Sequence, residues 1–203
     1  ADDAALAMSV HVACLADMDV MPDCAPAILG LVTGDDDDKW VSSNRRWKTK
    51  RDFGDKEKST EQALEEWRTH LRAPDGQSVR TFVADHWTLE YDLAFCGLAE
   101  EVYVAAVLAK SDSAINEEKK TVDDVEATAR TEFKEMADSA GDDRATLCCQ
   151  IYKLFHSGSA SKAIAAQYLA STLSKKAETE GFDRAAFRDK LPRYIVEAIA
   201  HAS

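Results

Sequence analysis

The sequence predicts an α/β fold: a short parallel sheet with a crossover helix, followed by a mainly helical C-terminal half. Two β-patterned stretches, "VHVACLA" (10–16) and "SVRTFVA" (78–84), flank a segment with one-face helical spacing. Strand, helix, strand in that order is the unit of a parallel sheet. From Thr88 onward the pattern is helical to the end of the chain.

Residues 10–16 read as a buried strand because nearly all of them are apolar. Residues 20–58 are the least ordered by composition: an acidic run, Asp35 to Asp38, precedes the basic cluster "KWVSSNRRWKTKR", with Gly30, Gly34 and Gly54 as punctuation. The acidic run is expected as a solvated loop. A helix is expected to begin at Ser59, where Ser59 and Gln62 fit a capping box and Leu64, Trp67 and Leu71 share a face. "APDG" (73–76) then makes a turn before the second strand. "TLEYDLAFCGLAEEVYVAAVLAK" predicts a long helix bent near Gly97. Further helices are expected over 121–138, 143–155, 161–178 and 184–200, separated by Gly141, "SGS" (157–159) and Gly181, with Pro192 breaking the last. The expected organisation is an α/β piece over 1–110 and a helical region over 111–203 packed on it.

Composition narrows the function. With 45 % hydrophobic and 31 % charged residues the chain has enough apolar material for a core. No apolar run approaches the roughly 18 residues of a membrane span, and "ADDAALAMSV" is acidic where a secretory signal would be basic. The formal net charge of −12 argues against gripping nucleic acid by charge alone. It leaves room for a metal-dependent enzyme on phosphates, where cations supply the missing positive charge. Five cysteines with no C-x-x-C pair argue against a zinc site or a disulfide framework. Reduced, mostly buried thiols and a cytoplasmic location are the expectation.

The candidate chemistry lies at the strand ends. Asp17 and Asp19, spaced i, i+2, emerge where the first strand ends, on one side of the chain. In open α/β sheets ligands bind at that carboxyl edge. Paired carboxylates repel unless a cation lies between them, and hard divalent ions favour such oxygen-only donors. The second strand runs into "DHWTLEYDL", where Thr88 suits a helix N-cap and Glu90 the first turn. Each of these acids alone is also explained by a solvated loop start or a helix cap; the pairing of two strand ends is what points to a metal cleft. A third element, "HSGSASKAIAAQYLA" (156–170), leads small and hydroxyl residues into a helix whose first turn carries Lys162. That arrangement suits a phosphate oxygen, although it lacks the Walker A pattern. His86 reads as structural in its strand-to-helix turn, and Asp92 as pointing away from Glu90.

"LADMDVMP", "VRTFVADHWTLEYDLA" and "SGSASKAIAAQYLA", in this order, resemble the C-terminal part of the ATP-dependent endonucleases of the OLD (overcoming lysogenization defect) family. The closing "KLPRYIVEAIAHA" is similar too. The resemblance implies a partial Toprim-like sheet. Asp17, Asp19 and Glu90 would be metal ligands for one or two Mg²⁺ or Mn²⁺ ions, with Thr88 as the hydroxyl residue beside them and Lys162 steadying the scissile phosphate. It implies metal-dependent DNA endonuclease activity with DNA and the N-terminal ATPase/Toprim half of such a protein as partners. A homodimer is one assembly to consider, and the lack of a long apolar run argues against a membrane partner. ATP would enter only through an N-terminal ATPase. That ATPase, and the first strand and glutamate-bearing turn of a Toprim domain, have no counterpart in these 203 residues, so the chain reads as a fragment of such a protein. Two other readings stand beside this one. A catalytically silent interaction or regulatory module would lack the same glutamate. A haloacid-dehalogenase-like phosphatase also follows a strand with D-x-D, but Met21 stands where that family has threonine or valine. Its later acidic motif would be "GDDRAT" (141–146), which follows a helical rather than a strand pattern.

Overall fold

β-Branched residues alternating with others make "VRTFV" extend as β4 (Val79–Val83), and it pairs in parallel with β1 (Val12–Ala16). The register sets Val12 opposite Val79 and Ala16 opposite Val83, so both strands end at one edge. The computed structural model describes residues 10–76 and 78–203; nearly all of the acidic stretch on which the no-signal expectation rests lies outside them. The crossover is α3 (Thr60–Leu71), started by the expected capping box: Gln62 N–H donates to Ser59 Oγ at 3.3 Å, and Ser59 N–H to Gln62 Oε1 at 3.0 Å. Leu64 is the buried residue of its apolar face and packs with Met18, Val20 and Val83.

β1 is a strand, but it is not buried as expected. Val12 is 42 % and Leu15 51 % exposed. Parallel strands ordinarily have helices over both faces and neighbours on both edges. Here β1 has β4 along one edge and α10 (Arg193–Ala202) packed against both strands, and no strand among the described residues pairs with its other edge.

The segment 20–58 holds more structure than its composition suggests. β2 (Val20–Met21) pairs in parallel with β3 (Lys48–Thr49), around the short helices α1 (Ala25–Ile28) and α2 (Asp38–Val41). Local polar contacts do the work that apolar periodicity does elsewhere. Thr49 is fully buried and its N–H donates to Asp52 Oδ2 at 2.7 Å, fixing a 3₁₀ turn over Lys50–Asp52. The acidic run is part of this. Asp37 caps α2 through Lys39 N–H at 2.8 Å and accepts from the Thr33 N–H and hydroxyl, while Asp35 pairs with Arg51 at 3.1 Å.

The helical half follows the sequence pattern closely. Residues 89–116 form one bent run: α4 (Leu89–Leu93), a π-turn at Ala94–Leu98, and α5 (Ala99–Asn116). The bend falls at Gly97, whose φ of 139° only glycine adopts freely and whose missing Cβ makes room for Lys190. α6 (Val122–Ala140), α7 (Arg144–His156) and α8 (Lys162–Ala177) all pack on α5, which spans residue 110, the expected boundary. α6 is the helix that "TEFKEMADSA" predicts. Pro192 separates α9 (Arg184–Arg188) from α10. One apolar core runs from Ala25 and Leu29 through Trp87, Tyr91, Leu98 and Ala106 to Ile151 and Ala165. The protein is thus mixed α/β, with a short parallel sheet and a mainly helical C-terminal half. No helix among the described residues is long and apolar enough to cross a membrane. All five cysteines are free thiols, yet only Cys148 and Cys149 are fully buried, and Cys14 is exposed because it sits on β1.

Candidate metal centre at the strand ends

The register of β1 and β4 brings Asp17 and the Thr88–Glu90 turn to one edge. Trp87 C=O accepts from Met18 N–H at 2.8 Å and Asp19 N–H at 3.4 Å, so the two exits are bonded to each other. The chain beyond β1 alternates: Asp17 and Asp19 are exposed while Met18 between them is buried. Both acids do face outward, but not as a continued strand. β1 ends at Ala16, and Asp19 adopts a left-handed φ of 55°.

Asp17 Oδ1 accepts the Leu89 N–H at 3.0 Å. That N–H opens α4 and has no intrahelical partner, so a carboxylate suits it. The protein packed against Asp17 raises its pKa above the ordinary value; the Leu89 N–H works against this, Glu90 and Asp19 add to it, and Lys162 opposes. Two acids and one cation thus bear on Asp17 at once.

Thr88 is the N-cap of α4, nearly fully buried, and its hydroxyl accepts from Tyr91 N–H at 3.4 Å. Glu90, in the first turn, carries its carboxylate to Lys162, whose Nζ donates to Oε2 at 2.9 Å. Lys162 opens α8, with Ser161 capping it through the Ile164 N–H. Burial alone would lower the Lys162 pKa; the bond to Glu90, with help from Tyr152, outweighs it and raises the pKa. The ammonium lies 5.3 Å from the centre of the Tyr152 ring. Burial raises the Tyr152 pKa; the neighbouring Lys162 ammonium works against this, and Glu90 adds to it. Tyr152 was not singled out by the sequence reading. It sits inside α7 at an ordinary helical spacing, and nothing local sets it apart from a core aromatic.

The structure therefore brings together Asp17, Thr88, Glu90, Lys162 and Tyr152, with Asp19 on the rim. Among the described residues, no three Asp, Glu, His or Cys side chains stand close enough together to hold a metal ion as they are. The donor chemistry nevertheless fits a hard divalent cation, since every acid here offers oxygen only. Glu90 already takes a cationic partner in the form of the Lys162 ammonium. Asp92, two residues from Glu90, serves the fold instead. It is fully buried, accepts the His86 and Trp87 N–H groups at 3.2 and 3.3 Å, and contacts His86 Nδ1 at 3.2 Å.

Comparison with known protein families, with curated proteins and with solved structures finds no match for this chain.

Proposed function

We propose that this chain carries the phosphodiester-hydrolysing site of a metal-dependent DNA endonuclease of the OLD type. The observation that carries the reading is the Lys162–Glu90 pair. It joins residues 72 positions apart and sets a cation beside the acids of two parallel strand ends. Asp17 and Glu90, with Asp19 from the rim, would hold Mg²⁺ or Mn²⁺. Such an ion supplies Lewis acidity toward a phosphoryl oxygen and an ionised water near neutral pH.

The chain's own residues set up the rest. The Leu89 N–H holds Asp17 in place, and the Thr88 cap fixes the turn that presents Glu90. Lys162, bonded to Glu90 and lying beside the Tyr152 ring, would supply a point charge to a phosphate oxygen.

The test is calorimetric Mn²⁺ titration of the protein beside Asp17→Asn and Glu90→Gln, with cleavage of supercoiled DNA followed in parallel. Binding lost or strongly weakened in both variants supports one shared cleft. Cleavage that survives Glu90→Gln overturns the assignment.

A second reading, an interaction or regulatory module without catalysis, is favoured by the exposed apolar residues of β1. It takes precedence if Mn²⁺ does not bind at all.

A further inference from the structure

The cation cluster between Lys39 and Arg51 has no part in the chemistry above, although it lies beside it. "KWVSSNRRWKTKR" holds Lys39, Arg45, Arg46, Lys48, Lys50 and Arg51 and no acid, in a chain whose formal net charge is −12. Two indoles interleave with these cations. Trp40 and Trp47 meet edge to face, ring centroids 5.6 Å apart. The Arg51 guanidinium lies 4.4 Å from the centre of the Trp40 ring, and that of Arg45 4.3 Å from Trp47. Both indoles are only half-buried, and Val41 beside them is 84 % exposed. A shallow pocket opens here, lined by Trp40, Ser42, Ser43, Trp47 and Lys48.

The cations divide into two sets. Arg45 pairs with Asp52 and keeps one buried guanidinium nitrogen without a hydrogen-bond partner, and Arg51 pairs with Asp35. These two brace the rings. Lys39, Arg46, Lys48 and Lys50 are exposed; Lys48 lies 3.9 Å from the centre of the Trp67 ring. The fold places this surface next to the acids. β3, in the middle of the cluster, pairs with β2 directly after Asp19, and Arg51 N–H donates to Asp23 Oδ1 at 3.2 Å.

Half-open aromatic rings interleaved with cations are how proteins hold single strands: bases stack on the rings while the backbone follows the charges. A duplex already stacks its bases, and four exposed cations in so acidic a chain are too few to grip it by charge. We propose that residues 39–51 form a binding surface for single-stranded DNA beside the candidate metal cleft. Trp40 and Trp47 are its stacking platforms, and Lys39, Arg46, Lys48 and Lys50 meet the phosphates. The choice of DNA rests on the nuclease reading; the stacking surface stands without it. Asp35, exposed and paired to Arg51, is displaced by the incoming strand at little cost, because such exposed pairs are weak.

The test is fluorescence anisotropy of labelled oligothymidylate with the full chain, in chelator so that no metal is bound. Trp40→Ala and Trp47→Ala should each weaken binding about tenfold. Arg46→Gln and Lys50→Gln, at exposed positions, and Lys48→Gln, which also gives up the contact with the Trp67 ring, should each lower the slope of log affinity against log salt by about 0.7. Asp35→Asn should tighten binding. Failure to bind oligothymidylate at low salt overturns the proposal. So does binding that survives both tryptophan variants and all three charge variants, and a preference for oligouridylate overturns the assignment to DNA. Oligothymidylate binding without Mn²⁺ binding would sink the nuclease reading and leave this surface standing; cleavage without oligothymidylate binding would do the reverse.

Discussion

Asp17 and Glu90 stand at one edge of the same two-stranded sheet, and their supports differ sharply. On the Glu90 side, Trp87, Thr88 and Tyr91 are nearly fully buried, and the Trp87 ring packs against Tyr152 with centroids 4.2 Å apart. Asp92, fully buried, ties the 86–87 turn to α4. On the Asp17 side, Val10, Val12 and Leu15 are exposed, and the loop after β1 is held by the Trp87 carbonyl, by the Trp67 indole N–H donating to Met18 C=O at 3.0 Å and by the buried Met18. One half of the cleft is therefore built into a packed helical core. The other half has only the alternate residues Met18 and Val20 buried, in a smaller cluster with Leu64 and Val83. A metal that needs both halves would find Glu90 in place and Asp17 held by the Leu89 N–H and the Trp87 carbonyl.

Trp87→Ala should break this arrangement most severely. Loss of a buried indole costs about 3–5 kcal/mol, and urea unfolding should show it together with weaker protection of residues 12–19 from hydrogen exchange. A cost under about 1 kcal/mol, on the same scale, would mean the two sides are independent. Asp92→Ala comes next. Two buried N–H groups lose their acceptor, at a cost of about 2 kcal/mol, and the same unfolding experiment reads it.

Asp85→Asn should act with the opposite sign. Burial first, then Asp92, raises the Asp85 pKa above its ordinary value of 3.8, against the pull of His86 and Arg68. The folded state thus holds that proton more tightly than the unfolded one, and stability falls as pH rises from the ordinary value through the raised one. The variant should melt higher than the parent near neutral pH, and the difference should vanish where Asp85 is protonated. A lower melting temperature at neutral pH would show that ionised Asp85 is stabilised where it sits.

Leu15→Ser should change least, within about 0.5 kcal/mol, because the side chain it replaces is already half in water. A cost near 2 kcal/mol, well above the surface range, would mean that β1 is covered in solution and that the contrast between the two sides is smaller than described.

Much of the fold is written in local signals. The Ser59 capping box, the bend at Gly97, the break at Pro192 and the boundaries of α6 to α8 all follow from rules that act within one or two turns of chain. The parallel pairing of β1 with β4 was legible because strand, helix, strand leaves few other topologies. The exposure of β1 was not legible, since an apolar stretch does not say how many layers will cover it. Nor was the order within 20–58, where Thr49 and the aspartates hold short elements through single polar contacts that carry no periodicity.

The candidate site divides in the same way. Asp17, Thr88, Glu90 and Lys162 could be named from strand ends and helix starts, as residue types in telling positions. That Lys162 lands on Glu90 and beside the Tyr152 ring, and that the Leu89 N–H holds Asp17, were decided by packing alone. Caps, bends and strands depend on neighbours a few residues away, which the sequence displays in order. A contact across 72 residues depends on where α7 and α8 settle against α5, and that is set by the fit of many buried side chains at once.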